Sequence, residues 1–153
     1  MEDIASMKLH TINDPSDPLL NLIDQDPVRP HIPVESRVGR NAEVLVLMHD
    51  NSPVSVVCVS YTQTVPVDES QLFDDCAVNP SIAVLYTIWS LQRGGGQLMI
   101  EHAAQHIRYT QPTVTRMVTL SPLTSMARNF HTRNGARELQ VNAVTVNFEY
   151  DLD

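Results

Sequence analysis

The chain has 153 residues, 42% of them hydrophobic, and carries a formal net charge of −8. That length and apolar content suit one domain with one core and leave no room for a second. The acidic balance argues against binding a nucleic-acid backbone, which needs clustered Lys and Arg. No stretch approaches the ~20 apolar residues of a membrane span, and Met1-Glu2-Asp3-Ile4 lacks the basic start and apolar run of a signal peptide, so the expectation is a soluble cytoplasmic protein.

Residues 1–40 hold Pro15, Pro18, Pro27, Pro30 and Pro33 among Asp and Asn, which predicts an extended, turn-rich lead with a helical turn at Leu19–Ile23. Residues 41–153 are then the domain proper. Glu43–Met48 and Val54–Thr62 read as adjacent antiparallel strands joined through the polar His49–Pro53 loop. Asp68–Asp75 can hold a short helix. Ser81–Trp89 is a nearly continuous apolar run between Pro80 and a glycine cluster, as expected of a central strand buried on both faces. Leu98, Met99, Ile100, Ala103, Ala104 and Ile107 recur at helical spacing, so Gly96 to about Tyr109 is the best helix, stopped at Thr110-Gln111-Pro112. Met117–Leu120 reads as a short strand, Thr124 to Arg133 as a helix ended by Asn134-Gly135, and Leu139–Tyr150 as one long alternating strand.

Three of the five glycines stand together at Gly94-Gly95-Gly96, between the central strand and the best helix. Glycines there let the backbone turn sharply and approach a ligand, and the free amides of a helix's first turn favour an anion such as a pyrophosphate. A plain strand-to-helix turn is the alternative. The loop is neither a Walker loop, since no Lys-Ser or Lys-Thr comes after it, nor a dinucleotide fingerprint. In a mostly antiparallel context it resembles the coenzyme A pyrophosphate site of the GNAT acyltransferase superfamily. The resemblance implies Gln92, Arg93, Gly94, Gly95, Gly96 and Gln97 as the binding segment, although Leu91 stands where that superfamily usually has Gln or Arg.

Thr119-Leu120-Ser121-Pro122 at a strand end is followed by Asn129-Phe130-His131 and Asn134-Gly135-Ala136. Together these resemble the catalytic domain of the malonyl-CoA decarboxylase family, itself GNAT-like. Tyr86-Thr87-Ile88 through Gln92-x-Gly94, and Ser52-Pro53-Val54 through Thr62, resemble further segments of it, so the likeness runs in order over about 43–148. It implies a mixed α/β (α+β) fold with a mostly antiparallel sheet flanked by helices, with Ser121 and His131 as the catalytic pair. The implied substrate is a malonyl-type thioester of coenzyme A or an acyl-carrier protein, and Tyr86 and Thr87 would stand at the acyl pocket. Here Leu123-Thr124-Ser125-Met126 comes after the Ser-Pro where that family has Ile-Pro-Gly-Phe, His131 stands only ten residues after Ser121 where that family has a long helical insertion, and no counterpart of its N-terminal helical domain is expected in residues 1–40. Two other functions stay open: an acyltransferase using acetyl-CoA, or a non-catalytic module binding a thioester, a protein partner or itself as a homo-oligomer.

The chemistry suits the pair. Loss of CO2 from a malonyl thioester leaves an enolate that needs hydrogen-bond donors at the thioester oxygen and a proton carrier, and His is the side chain that titrates nearest neutrality. The structural alternatives are that Ser121 caps a helix with Pro122 at its first position, and that His131 packs at a helix end. Arg128 and Arg133 read as solvated. His102 and His106 stand four apart on the helix but form no His-Glu-x-x-His motif, so no metal is expected. Cys58 reads as core and Cys76 as loop, without disulfide or metal spacing.

Overall fold

A computed structural model describes residues 7–74 and 76–152 of the chain. The elements run β1 (Met7–Ile12), a 3-10 turn Pro18–Gln25, α1 (Val34–Arg37), β2 (Ala42–His49), β3 (Ser52–Thr62), a 3-10 turn Glu69–Gln71 and β4 (Ile82–Ser90). Next come α2 (Gly95–Thr110), β5 (Arg116–Thr119), β6 (Ser121–Pro122), α3 (Ser125–Arg133), β7 (Arg137–Val141) and β8 (Thr145–Tyr150). The strands form one sheet in the order β1-β2-β3-β4-β5-β8-β6, with β7 also on β8. Every pairing is antiparallel except β4 with β5. This is the expected GNAT-like architecture, with β4 in the middle.

Alternation on the strands sorts the core into two layers. Val57, Val59, Ala83 and Leu85 meet Met99, Ala103 and Ile107 of α2 on one face. On the other, Val44, Val46, Val56, Cys58, Val84 and Tyr86 are covered by Leu20, Ile23, Ile32 and Val38 of the N-terminal segment. The proline-rich lead therefore completes a core layer. It also supplies β1, an edge strand on β2 that its sequence does not announce.

Three sequence expectations are corrected. Leu139–Tyr150 is a hairpin, because Asn142 turns the chain: its N–H donates to the Thr145 carbonyl at 2.8 Å and its side-chain amide to Asn147 Oδ1 at 2.8 Å. The helix sought in Asp68–Asp75 shrinks to the 3-10 turn, capped by Asp68 accepting from the Ser70 N–H; Asp75 lies outside the described residues, as do Met1–Ile4. Ser121 is not a helix cap. It pairs with Val146 in β6, and Thr124 caps α3 by accepting from the Ala127 N–H at 3.2 Å.

Candidate functional site

The site begins where β4 and β5 part. Their parallel pairing runs from Ile82 with Arg116 to Leu85 with Thr119, and the last bond is the Leu120 N–H to the Leu85 carbonyl at 3.1 Å. Beyond it β4 continues along β3 while the other strand bends away into β6. A bulge marks the place: Cys58 pairs with Thr87 but Val59 with Leu85, so Tyr86 is an extra residue on β4. An extra residue breaks the alternation and re-aims the side chains beyond it. Tyr86 and Thr87 consequently both face the N-terminal segment, where the Thr87 hydroxyl donates to Asp26 Oδ1 at 2.8 Å.

The bend is held by Thr119. Its hydroxyl oxygen accepts the Phe148 N–H of β8 at 3.0 Å and the Ser121 hydroxyl at 2.8 Å, and its carbonyl accepts the Asn147 side-chain amide at 2.8 Å. Side-chain bonds thus replace the missing ladder bonds of the kinked strand, as buried backbone groups require.

Between the diverging strands lies a cleft of about 560 Å³. Its walls are Leu85–Ser90 of β4, Leu120, Ser121 and Pro122, Pro27 and Val28 of the lead, Gly96 of α2, and Thr124, Met126, Ala127, Phe130 and His131 of the loop and helix beyond. No Lys, Arg, Asp or Glu is among them. Met126 is 82% exposed at the mouth. The structure thus brings Ser121, His131, Tyr86, Thr87 and Gly96 to one cavity, whereas Gln92, Arg93, Gly94, Gly95 and Gln97 lie in the turn and first helical residues flanking it.

His131 is buried against aromatic rings. It stacks on Phe148, with centroids 5.3 Å apart and planes at 29°, and meets Phe130 and Tyr150 edge-on. Its Nδ1 bonds the Tyr150 hydroxyl at 2.6 Å. Burial disfavours the imidazolium and pushes the His131 pKa down to about 4, so the ring is neutral at pH 7. Burial also raises the Tyr150 hydroxyl, which stays protonated. Ser121 and His131 are not hydrogen-bonded to each other among the described residues; each reaches the cavity from its own anchor, Thr119 and Tyr150. Those anchors escape a sequence search, since Tyr150 closes an ordinary alternating strand and Thr119 stands in an ordinary apolar one.

Each residue of the glycine triplet has its own geometric cause. Gly94 sits at φ +80°, a left-handed turn in open space. A Cβ on Gly95 would lie 2.6 Å from the Val54 carbonyl oxygen, and one on Gly96 would lie 2.7 Å from the Phe130 ring. The loop therefore seats α2 directly on β3 and on the ring beside His131. Gly94 and Gln97 are exposed, and no side chain caps the helix start.

Other candidates fall elsewhere. Cys58 is fully buried and its thiol is pushed up to about 11 by burial, which leaves it unreactive. His106 faces the buried Glu43 at 3.1 Å, an oxygen that also accepts from the Tyr61 hydroxyl. Arg128 pairs with Glu138 and lies 6.0 Å from the Phe148 ring centroid. No helix among the described residues is long and apolar enough to cross a membrane.

No protein-family model matches this sequence, and no curated protein matches it either. Solved structures do resemble it in fold. Malonyl-CoA decarboxylase from Rhodopseudomonas palustris superposes with a TM-score of 0.72 at 18% identity, over 97% of this chain and 57% of that one. The enzyme of the same name from Agrobacterium vitis gives 0.67 at 21%, over 82% and 36%. A Bacillus subtilis acetyltransferase in complex with CoA gives 0.66 at 10%, over 95% and 98%. This chain thus spans between about a third and somewhat over half of the length of those two decarboxylases and nearly the whole of the acetyltransferase.

Proposed function

We propose that this protein decarboxylates a malonyl-type thioester carried on coenzyme A or an acyl-carrier protein, with Ser121 and His131 as the acting side chains. The observation that carries the reading is their convergence, from separate elements and separate anchors, on the apolar cleft opened by the parting of β4 and β5. In this reading the carrier's phosphates lie at the Gln92–Gln97 segment and the acyl group enters the cleft past Gly96.

The bond between the α-carbon and the carboxylate breaks, CO2 leaves, and the electron pair stays on the α-carbon, spread onto the thioester oxygen as an enolate; the α-carbon then takes one proton. A cleft without a cationic side chain is a poor place for a carboxylate and a better one for CO2, which favours the bond-breaking direction. Ser121 needs only a hydroxyl rotation away from Thr119 to donate to a ligand oxygen. A carboxylate bound beside the neutral His131 favours its protonation, so substrate binding itself loads the proton that the α-carbon later receives.

The test is CO2 release from malonyl-CoA by the full chain. Ser121→Ala and His131→Ala each lower turnover by about 100-fold or more while the fold persists; turnover unchanged in both refutes the assignment. The near full-length match to an acetyltransferase supports a second reading, acyl transfer to an amine. Acetyl-CoA consumption that depends on an added amine, without CO2 release from malonyl-CoA, would select it.

A further inference from the structure

Behind the cleft wall lies a group of buried charges that the proposed reaction does not use. Arg29, from the proline-rich lead, is 6% exposed. Its Nε donates to the Tyr86 carbonyl at 2.9 Å, its Nη2 to the Leu120 carbonyl at 2.7 Å, and its Nη1 to Glu69 Oε1 at 2.8 Å. Tyr86 is the bulged residue of β4 and Leu120 the first residue past β5, so one guanidinium clasps both strands at the point where they separate.

The clasp is itself braced. Asp26 accepts the Arg29 N–H at 2.9 Å, Arg37 donates to the Arg29 carbonyl at 2.6 Å, and Asp26 and Arg37 pair at 2.8 Å with neither side chain exposed. Burial alone would raise the Asp26 carboxyl, but the hydrogen bonds from Arg29, Arg37, Val28 and Thr87 outweigh it and hold the group ionised. Buried charges are costly and contribute little net stability. Their placement here spends that cost on geometry at one spot: the planar fork of Arg29 meets two carbonyls whose spacing it fixes.

We propose that Arg29 is a positioning residue that sets the width of the β4–β5 opening and, through the Leu120 carbonyl, the placement of Ser121. Leu120 and Ser121 share a peptide bond, so a shift of the carbonyl that Arg29 holds is a shift of the Ser121 backbone. The kinetic part of this proposal rests on the decarboxylase reading; the structural part stands without it.

The experiment compares wild type with Arg29→Gln, Arg29→Lys and Glu69→Ala. Arg29→Lys keeps the charge but cannot fork to two carbonyls, and it serves if the Gln variant does not fold. Glu69→Ala removes the outer partner of Arg29, which Glu69 shares with His31, and touches neither carbonyl. In amide-resolved hydrogen exchange, the Leu120 amide of either Arg29 variant exchanges about 10-fold faster or more, while core amides such as Val57 change little. With malonyl-CoA, kcat falls by about 10-fold or more while KM stays within about 2-fold, because the carrier site at Gln92–Gln97 is separate. Glu69→Ala leaves both readouts close to wild type. Unchanged Leu120 exchange, a uniform rise over the whole sheet, or Glu69→Ala reproducing the Arg29 variants each overturn the proposal. If wild type releases no CO2, the decarboxylase reading falls and the exchange data alone decide on Arg29.

Discussion

Acid should unfold this protein earlier than its carboxylates alone require, and His131 is the reason. The imidazole titrates at about 4 in the folded chain against an ordinary 6.5, because burial excludes the charged form. Between those values the unfolded chain holds a proton that the folded chain does not, so stability is present above pH 6.5 and is lost as pH falls toward 4. The interval corresponds to about 3 kcal/mol at ~1.4 kcal/mol per pH unit, of which about 2 kcal/mol is lost between pH 7 and pH 5. His131→Gln retains a hydrogen-bonding side chain for Tyr150 and removes the titration. Urea denaturation at pH 7 and at pH 5 measures the effect: wild type loses about 2 kcal/mol more than His131→Gln between the two. The other histidines are shared by both proteins and cancel in the difference. Equal losses would show that His131 is charged in the fold and would refute the neutral-imidazole argument.

Further outcomes rest on particular contacts. Tyr150→Phe removes the partner of the buried His131 Nδ1 and lowers stability at pH 7 by about 1–3 kcal/mol by chemical denaturation; an unmoved midpoint would deny the bond a structural role. Among the glycines, Gly95→Ala forces a methyl against the Val54 carbonyl and destabilises more than Gly94→Ala, whose cost is backbone strain of about 1 kcal/mol, and thermal melts of the pair rank them. Gly96→Ala displaces the Phe130 ring beside His131, costing about 1–3 kcal/mol; in the proposed decarboxylase reading it lowers CO2 release more than it weakens coenzyme A binding measured by calorimetry. Arg37→Met strands the buried Asp26 carboxylate and costs about 3–5 kcal/mol, part of which Arg37→Met with Asp26→Asn regains; equal denaturation midpoints for the single and double variants would contradict this.

The legible part of this chain is its hydrophobic pattern. Ser81–Trp89 announces β4 by a continuous apolar run buried on both faces, and the spacing from Leu98 to Ile107 announces α2 by the helical period of its buried face. The local motifs around Ser121 and His131 single out two residues that line one cleft. The hairpin at Asn142 is hidden because its turn holds neither glycine nor proline and is built from Asn142 bonds, so that only a shift of the apolar residues from odd positions (Leu139, Val141) to even ones (Val146, Phe148, Tyr150) marks it. Arg29, Asp26 and Arg37 are hidden for a different reason. Arg29 is explained only by the Tyr86 and Leu120 carbonyls, 57 and 91 residues away, and Asp26 and Arg37 by their pairing with each other around it. The lead likewise reads only as extended and turn-rich, since neither β1 nor the layer over Val44 and Cys58 can be recognised without its partners.

The parting of β4 and β5 has a consequence for how such a domain can change. A void of about 560 Å³ carved from a packed interior by trimming side chains would cost on the order of 10 kcal/mol, comparable with the whole net stability of a domain. Here both core layers stay filled, and the space comes from two backbones diverging after four paired positions. The exposed Leu123–Met126 stretch at the cleft can therefore be rebuilt without withdrawing support from the interior, whereas Leu85, Tyr86, Trp89 and Leu120 line the cleft and belong to the core layers at once. One wall of the cleft is thus free to drift while the other is held by the fold.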